Sequence, residues 1–415
     1  MTPLKGTIDV LNLESRRPCP FSTYEYLETY LAHDEYAATA DELLFLVAFD
    51  EGELIGYLPL RKNHVHALGV VPFTRVGVLI SHDTDRPHLI ARPEDEPRCA
   101  AAMYEHLLER EPSWSFLDLA LQDDQSALHA VPKLNPLRYW AREFENMPVS
   151  RLALRARSVP GYLKGLTGHQ RKALNRSVRK TLTAGRAEAI SSSGPAETAA
   201  LLELYLELEQ RSWKAAARAG ISRHPERIAF FRALTGGEQP MRLAVHLLLL
   251  DDLPVSGAVT GAFGGVMHGL ETCFDQDYEA TECGHVAALL AIRQAMVSGL
   301  DEINLNGNYA YNKAHFGGVV TPTRAVQIFK VGSPPWIHAQ AGELKRRLDS
   351  ADAVAPSFNP ERREWEHGAE VRPARLEEKE QARRVLAGLR LDRLGGDALA
   401  DALGYAAARK GEVAA

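Results

Sequence analysis

The segment FDQDYEATECGHVAALLAIRQAM, residues 274–296, decides how this chain folds. It passes from strand-like residues through acidic and aromatic ones to a single glycine, Gly284, and continues as a nearly all-apolar helix that ends at Gly299. Such a helix packs against a sheet, and its first turn carries unpaired N–H groups that suit an anion. Gly284 is therefore either the hinge of a buried helix or a ligand contact, because it has no Cβ to hold a ligand away.

The elements around this helix occur twice along the chain. In the second copy, two apolar runs form a hairpin and are followed by a strand, the helix and a last strand, at residues 243–250, 255–259, 269–274, 286–297 and 303–305. The first copy has the same order at residues 43–49, 54–60, 76–81, 100–109 and 116–121. This repeat predicts an α/β (mixed α+β) fold with two mixed sheets and crossover helices, in which ligands bind where strands separate at a helix N-terminus.

The same patterns predict three regions along the chain. We place an N-terminal domain at residues 1–148, a C-terminal domain at 149–335, and a helical extension and linker at 336–415. The SPPW sequence at 333–336 breaks the pattern, residues 339–348 read as a helix, and residues 376–408 read as one or two amphipathic helices with a break at Gly395 and Gly396.

Composition excludes several classes of protein. The 415 residues are 45% hydrophobic and 25% charged with a formal net charge of −6, which indicates a globular protein and argues against one built wholly to coat nucleic acid. The four cysteines have no zinc-ligand or disulfide-framework spacing, and no HExxH pattern occurs among the histidines, so we predict no metal. No signal-like or membrane-spanning run is found, and we predict a cytoplasmic location without a membrane span.

A basic helix is the first candidate for binding. Residues 151–187 contain no acidic side chain, and a helix from about residue 167 places Lys172, Arg176, Arg179 and Lys180 on one face. Leu174, Val178 and Leu182 share the other face. The basic face is either a solvated surface neutralised by acidic loops or a contact for phosphates, those of a nucleotide-bearing donor or of tRNA.

A second candidate is the segment NGNYAYNKAHFGG, residues 306–318, which directly follows a strand. Tyr311 could donate a proton to a leaving group, and Lys313 could hold an anionic group. The alternative is an ordinary amphipathic loop. The concentration of polar, aromatic and glycine residues just beyond a strand end favours the functional interpretation.

Together with RSW at 211–213, these segments resemble the GNAT acyltransferase superfamily, in its FemAB-like and CelD-like branch. The matching features are the helix GHQRKALNRSVRK, the succession of strand, Asp, Tyr, glycine and helix from Gly269, and YNKAHFG with its lysine. The resemblance covers residues 159–318 well and residues 21–121 more loosely, as the first copy. The sequence departs from the family at the glycine-rich loop, which is reduced to ECGH around Gly284. The identity of the acyl donor is therefore undetermined.

The resemblance implies two GNAT folds and an N-acyltransferase. Such a protein moves an acyl group from acyl-CoA, or another activated acyl donor, to a primary amine of a small molecule or peptide, without a permanently bound cofactor. Two alternatives remain: a tRNA-dependent aminoacyltransferase of FemAB type, and a non-catalytic binding module with this fold. The acceptor and the oligomeric state stay open.

Family membership also suggests which residues form the site. Candidates for proton transfer are Glu271, Asp275, His285 and Tyr311, each of which taken singly is more often structural. A backbone amide at 274–275 is the expected oxyanion donor. Candidates for donor contact are Cys283, Gly284, His285, Arg171, Lys172 and Arg176, with Cys283 expected not to act as a nucleophile. Candidates for substrate binding are Trp213, Tyr278, Asn308, Tyr309 and Lys313.

Overall fold

The computed structural model describes residues 4–33, 42–67, 71–79, 88–111, 113–217, 219–236, 239–306, 313, 315–349, 375–389 and 391–404. The chain divides into two compact units. The first unit comprises residues 1–17, 38–146 and 323–372, and the second comprises residues 18–37, 147–322 and 373–415.

The described chain contains both helices and strands. The α-helices are α1 (Lys5–Glu14), α2 (Tyr24–His33), α3 (Glu96–Glu105), α4 (Val159–Gly165), α5 (Gly168–Thr183), α6 (Pro195–Glu209), α7 (Trp213–Ala217), α8 (Pro225–Thr235), α9 (Cys283–Val297), α10 (Pro334–Asp349), α11 (Arg375–Ala387) and α12 (Gly396–Ala402). The strands are β1 (Glu42–Asp50), β2 (Glu53–Ala67), β3 (Val71–Val78), β4 (Ile90–Ala91), β5 (Phe116–Asp123), β6 (Tyr139–Ala153), β7 (Ala187–Ser191), β8 (Arg242–Leu250), β9 (Leu253–Phe263), β10 (Val266–Phe274), β11 (Glu302–Asn304), β12 (Val319–Lys330) and β13 (Asp392–Gly395). Short 3₁₀ turns occur at Pro20–Ser22, Ala127–His129, Ile221–Arg223 and Gln276–Thr281, and a π-helical turn at His106–Arg110.

The first unit is a mixed sheet with α3 packed on it. Its strands lie in the order β1, β2, β3, β5, β12, and all neighbours are antiparallel except β3 and β5. Its core is built from alternate residues of these strands and the apolar stripe of α3, as expected for a sheet with one covered face. Trp114 lies in this core, and its indole N–H donates to the Leu107 carbonyl at 2.7 Å.

The second unit repeats this plan on a larger scale. Its strands lie in the order β11, β10, β9, β8, β7, β13, with β10 and β11 parallel and the other neighbours antiparallel. The helix α9 joins the two parallel strands and packs on β8 to β11, while α6 contacts β8, β9 and β10. Because α9 is apolar on nearly every side, most of its residues are buried in one core with those of α4 and α5.

The predicted mixed α/β class and the repeated order of elements are confirmed. In the first unit the order is β1, β2, β3, α3 and β5, with the two-residue β4 between β3 and α3, and in the second unit it is β8, β9, β10, α9 and β11. In each unit the third of these strands is parallel to the strand after the helix, which requires a crossover connection. The predicted elements differ from the observed ones mainly at their ends.

The compact units differ from the predicted domain bounds at several places, and residues 323–335, predicted in the C-terminal domain, belong to the first unit. Residues 18–37, predicted in the first domain, belong to the second unit, because Tyr26 and Tyr30 of α2 pack edge-on against Phe230 of α8. The predicted helical extension is not purely helical. Residues 392–395 form β13 on the free edge of β7, and Leu399 and Leu403 are buried in the core of the second unit.

No helix in the described ranges is both long enough and apolar enough to cross a bilayer.

Stability of the second unit should depend on pH through His246. This side chain is fully buried, with Nδ1 2.9 Å from Ser191 Oγ and Nε2 3.0 Å from Thr260 Oγ1, and burial lowers its pKa to about 4. The folded state therefore favours the neutral ring, so its stabilising effect is present above about pH 6.5 and is lost as the pH falls towards 4. Between pH 7 and 5 we expect the free energy of unfolding to fall by about 2 kcal/mol from this group.

Urea titrations followed by circular dichroism at several pH values test this expectation. The variant His246→Gln, which does not titrate, should lose about 2 kcal/mol less than the wild type over the same interval. Parallel pH profiles for the two proteins would show that His246 does not contribute.

Candidate functional site

The parallel strands β10 and β11 separate soon after they meet. They are paired over three residues, from Val266 opposite Glu302 to His268 opposite Asn304, and β11 then ends. The strand β10 continues to Phe274, and among the described residues its strand partner there is β9. Among the described residues, the β11-facing edge of β10 beyond Gly269 therefore has no strand partner, and we refer to this unpaired edge as the opening; α/β proteins bind ligands where parallel strands separate in this way.

A β-bulge interrupts the regular pairing of β10 beside this opening. Gly269 lies opposite Thr260 and Glu271 lies opposite Val259, so Leu270 is the extra residue. The residues 269–272 are half-buried or exposed, whereas nearly all of β9 is buried. The second half of β10 is thus the accessible part of an otherwise buried sheet.

Two described residues that follow β11, Asn306 and Lys313, lie at this opening. Asn306 adopts a left-handed conformation with φ 62°, its backbone N–H donates to Asn304 Oδ1 at 3.0 Å, and its side-chain amide donates to the Gly269 carbonyl. Lys313 Nζ donates to the Asn306 carbonyl at 2.8 Å. The predicted residue Lys313 is therefore placed at the opening, held by a backbone contact.

The first turn of α9 lies against the basic helix α5. Glu282, in the left-handed conformation with φ 59°, is the residue before α9. Its carboxylate accepts from Lys180 Nζ at 2.6 Å and from Arg176 Nε at 3.3 Å. Burial alone would raise its pKa, but hydrogen bonds from Lys180, Ser177 and Arg176 lower the pKa to about 2. Part of the basic face is thus neutralised, as one of the two sequence interpretations expected.

The rest of the basic face is open to solvent. The side chains of Arg171, Lys172 and Arg179 are exposed, while Leu174 and Val178 are buried as the helical period predicted. A capping box at Thr167 and Gln170 fixes the start of this helix.

His285 lies at the junction of α9, α5 and the turn after Lys313. Its Nδ1 is 3.0 Å from Ser177 Oγ, and its ring is 5.6 Å from that of His315 and 6.0 Å from that of Phe316. Burial is the main cause that lowers the pKa of His285, and the nearby His315 and Arg176 act in the same direction. The imidazole is therefore neutral near pH 7.

Gly284 and Cys283 face the protein interior. A Cβ at Gly284 would lie 3.2 Å from Cδ1 of Phe274, so the glycine makes room for that ring rather than for a ligand on this side. The Cys283 side chain is fully buried and burial raises its pKa, so any contact with a donor would be through its backbone. This geometry favours the alternative role of Gly284 as a hinge, and the predicted contact of Gly284 with a donor stays a prediction.

Glu271 belongs to a second group of charges on β10. Its carboxylate pairs with Lys214 of α7 and with Arg227 Nη2 of α8 at 2.7 Å. Lys214 lies 3.8 Å from the buried Glu209, whose Oε2 accepts from the Ser222 backbone at 2.7 Å. We refer to Glu209, Lys214, Arg227 and Glu271 as the charge cluster. A carboxylate held by two cations is a weaker candidate for a base than sequence alone indicated.

Asp275 is also engaged by the protein. It is 2% exposed, and its side chain accepts from Arg211 Nε at 2.9 Å and from the Asp277 backbone at 3.0 Å. The backbone N–H of Asp275 donates to the Val255 carbonyl at 2.8 Å. The amide of Asp275 is thus not an available oxyanion donor, and the side chain serves as the cap of the following 3₁₀ turn.

The remaining predicted residues are distributed around these two groups. Trp213 is half-buried at the start of α7 beside the charge cluster, and Tyr278 is half-buried in the 3₁₀ turn before α9. Asn308, Tyr309 and Tyr311 lie outside the described residues, and their roles stay predictions. Within the described ranges, His, Cys, Asp and Glu side chains form no group of three or more suited to a metal ion.

Sequence analysis missed five polar residues of these groups: Ser177, Glu209, Lys214, Arg227 and Glu282. A serine between Leu174 and Val178 on the apolar face of α5 was a usable signal, because a polar group there needs a buried partner. The others gave no local signal.

Comparisons with known proteins find similarities for this chain. Residues 168–313 match the family model described as Acetyltransferase (GNAT) domain. A search of curated proteins found no match. The solved structure titled "Crystal structure of FemX" aligns with a TM-score of 0.54 at 10% identity, over 78% of this chain and 95% of that one. A conserved protein of unknown function from Bacteroides thetaiotaomicron aligns with a TM-score of 0.51 at 11% identity, over 80% and 98%. These two likenesses show a shared fold.

The contact between Gly284 and Phe274 can be tested by a double-mutant cycle. Gly284→Ala should crowd the Phe274 ring, and Phe274→Leu should relieve that crowding, so we expect a favourable coupling of about 1 kcal/mol in the double variant. Unfolding in urea measures all three variants. Strictly additive effects would mean that the ring does not limit the space beside Gly284.

The charge cluster should stabilise the second unit. Glu271→Gln removes the partner of two largely buried cations, so we expect the free energy of unfolding to fall by about 3 kcal/mol. The matched control is Glu279→Gln, an exposed carboxylate in the 3₁₀ turn, with an expected change within about 0.5 kcal/mol. Equal stability of the two variants in urea titrations would contradict a stabilising role for Glu271.

Proposed function

We propose that the second unit, in which residues 168–313 match the acetyltransferase (GNAT) domain model, is an acyltransferase that moves an acyl group from acyl-CoA to a primary amine. The observation that carries this proposal lies inside the matched residues. It is the opening where β10 and β11 separate, with α9 beginning beside it.

The edge of β10 at this opening suits an acyl-CoA. Among the described residues, β10 beyond Gly269 is paired with β9 alone, so its other edge presents backbone groups to the opening. A ligand that carries amides can hydrogen-bond such an edge as an added strand does. The pantetheine arm of coenzyme A contains two amides and ends in the thioester, which would place the acyl group along β10.

The donor phosphates would contact α5 rather than the end of α9. Glu282 directly precedes α9 and brings a negative charge to this end of the helix, and the Cβ side of Gly284 is filled by Phe274. The exposed guanidinium of Arg171 and ammonium of Lys172 are available on the neighbouring helix, and cations of this kind bind phosphates. This arrangement supports a donor whose phosphates contact α5. It agrees with the reduction of the glycine-rich loop to ECGH, which offers few backbone amides for phosphates.

His285 is the best candidate for the base. The amine must lose a proton as it attacks the thioester carbonyl, and a base for this step needs a free lone pair near neutral pH. Glu271 and Asp275 are each held by cations, whereas His285 is neutral and lies beside His315 and the turn that begins at Lys313. Tyr311 stays the predicted acid for the leaving thiolate.

A tRNA-linked aminoacyl donor is the second candidate. It is favoured by the exposed Arg171, Lys172 and Arg179 on a helix without acidic residues, a surface that would also suit an RNA backbone. The two donors differ in how their binding depends on salt, since RNA binding weakens steeply as counterions are added.

Isothermal titration of the full chain with acetyl-CoA and myristoyl-CoA tests the donor. We expect saturable binding of an acyl-CoA, weakened about tenfold by the double variant Arg171→Glu/Lys172→Glu, because two attractive charges become repulsive. The control Arg384→Glu changes an exposed arginine of α11 and should bind as the wild type does.

Product formation is followed by mass spectrometry with a panel of amino acids, amino sugars and peptides. If no thioester binds and total tRNA binds with a steep salt dependence, the acyl-CoA proposal is wrong and the aminoacyl donor replaces it. If neither binds, the fold serves as a non-catalytic module.

A further inference from the structure

Three polar side chains from two elements form a continuous hydrogen-bonded row in the second unit. Ser177 of α5 lies between Glu282 and His285, which flank the start of α9. Ser177 Oγ is 2.6 Å from Glu282 Oε2 and 3.0 Å from His285 Nδ1. Ser177 is fully buried, so these neighbours rather than water determine its hydrogen bonds.

The row fixes the positions of its protons. Glu282 is held between Arg176 and Lys180 and is ionised, so its oxygens only accept hydrogen bonds. The Ser177 hydroxyl has one hydrogen. It donates this hydrogen to the Glu282 carboxylate at 2.6 Å rather than to the Ala173 carbonyl at 3.1 Å, because the charged acceptor forms the stronger hydrogen bond. The Ser177 oxygen then has only lone pairs left for His285. The Nδ1 atom of His285 must therefore be the donor, which leaves the lone pair on Nε2.

We propose that Ser177 and Glu282 are positioning residues that hold His285 as its Nδ1–H tautomer, with Nε2 directed to act as the base. The inference deepens the proposed function and rests on it for the role of His285. The tautomer itself follows from the contacts alone. Nothing in the family match or in the sequence patterns assigns a role to Ser177 or Glu282.

The reaction balances with this arrangement. As the amine nitrogen forms a bond to the acyl carbon, its proton passes to Nε2 of His285 and the ring becomes an imidazolium. The C–S bond then breaks, and the imidazolium gives this proton, directly or through water, to the thiolate that leaves, so that an amide, a free thiol and the neutral ring are formed. The positive charge on the ring is compensated through Ser177 by the carboxylate of Glu282.

The charged groups around His285 set its behaviour with pH. Glu282 favours the charged ring, whereas His315, Arg176 and burial oppose it, and Lys180 offsets part of the Glu282 charge. The net effect keeps the ring neutral above its lowered pKa. Activity that needs a neutral His285 is therefore present near pH 7 and is lost as the pH falls through the lowered pKa of His285. Glu282→Gln removes a group that favours the imidazolium and should move this acid limb to lower pH.

Nuclear magnetic resonance gives a test that needs no substrate. In the full chain labelled with ¹⁵N-histidine, the signals of His285 are assigned from their loss in His285→Gln. We expect the Nδ1–H tautomer in the wild type and a shift towards the Nε2–H tautomer in Ser177→Ala. The matched control is Thr183→Ala. The Thr183 hydroxyl lies close to the carbonyl four residues back, as the Ser177 hydroxyl does, but it is on the exposed side of α5.

The Nε2–H tautomer in the wild type, or an unchanged tautomer in Ser177→Ala, would overturn the inference whether or not the protein acylates amines. A failure of acyl-CoA binding, in contrast, removes the proposed function and leaves the tautomer result standing. The two outcomes are thus distinguishable.

Kinetics with an amine found in the product screen provide the second readout. We expect kcat to fall about 10- to 100-fold in Ser177→Ala with KM unchanged, and Ser177→Thr to restore most of it, because threonine keeps the hydroxyl. Thr183→Ala should keep the wild-type rate. A pH profile and kcat that are the same in Ser177→Ala and the wild type would rule out a positioning role.

Discussion

The short parallel contact between β10 and β11 is the constraint on which the second unit depends. Parallel strands cannot be joined by a tight turn, so the chain must cross over the sheet, and α9 is the connection. The helix is apolar on nearly every side, and its burial fixes where its first turn lies. Because the pairing stops at His268 and Asn304, the same constraint creates the opening and places the start of α9 beside it.

Charge balance then decides which groups remain available for chemistry. The charge cluster compensates Glu271, and Arg211 compensates Asp275, so these carboxylates are structural partners of cations. Glu282 neutralises part of the basic face of α5 and leaves Arg171 and Lys172 exposed. The imidazole of His285 is left as a neutral group among compensated charges, which is a suitable state for a base.

Much of the fold and some of the candidate site could be predicted from local patterns. The hairpins, the crossover helix and the repeat follow from apolar periodicity, and the apolar stripe of α5 was placed at Leu174 and Val178. Residues 18–37, predicted in the first domain, group with the second unit, because the partner of Tyr26, Phe230, lies about 200 residues away along the chain, and no sequence period indicates such a contact. The strand β13 was missed for the same reason, since a four-residue strand is stabilised by the edge of β7 rather than by its own sequence.

The sequence by itself determined the class of fold, the order of its elements and the residues that carry charge on α5, because these depend on periodicity over neighbouring residues. Only the tertiary structure decided which charges meet. Glu282 lies more than 100 residues from Ser177, Arg176 and Lys180, and its left-handed backbone directs its carboxylate to them. The reason is physical: the protonation state and orientation of His285 depend on groups brought together through space, and their separation along the chain leaves no local pattern to read.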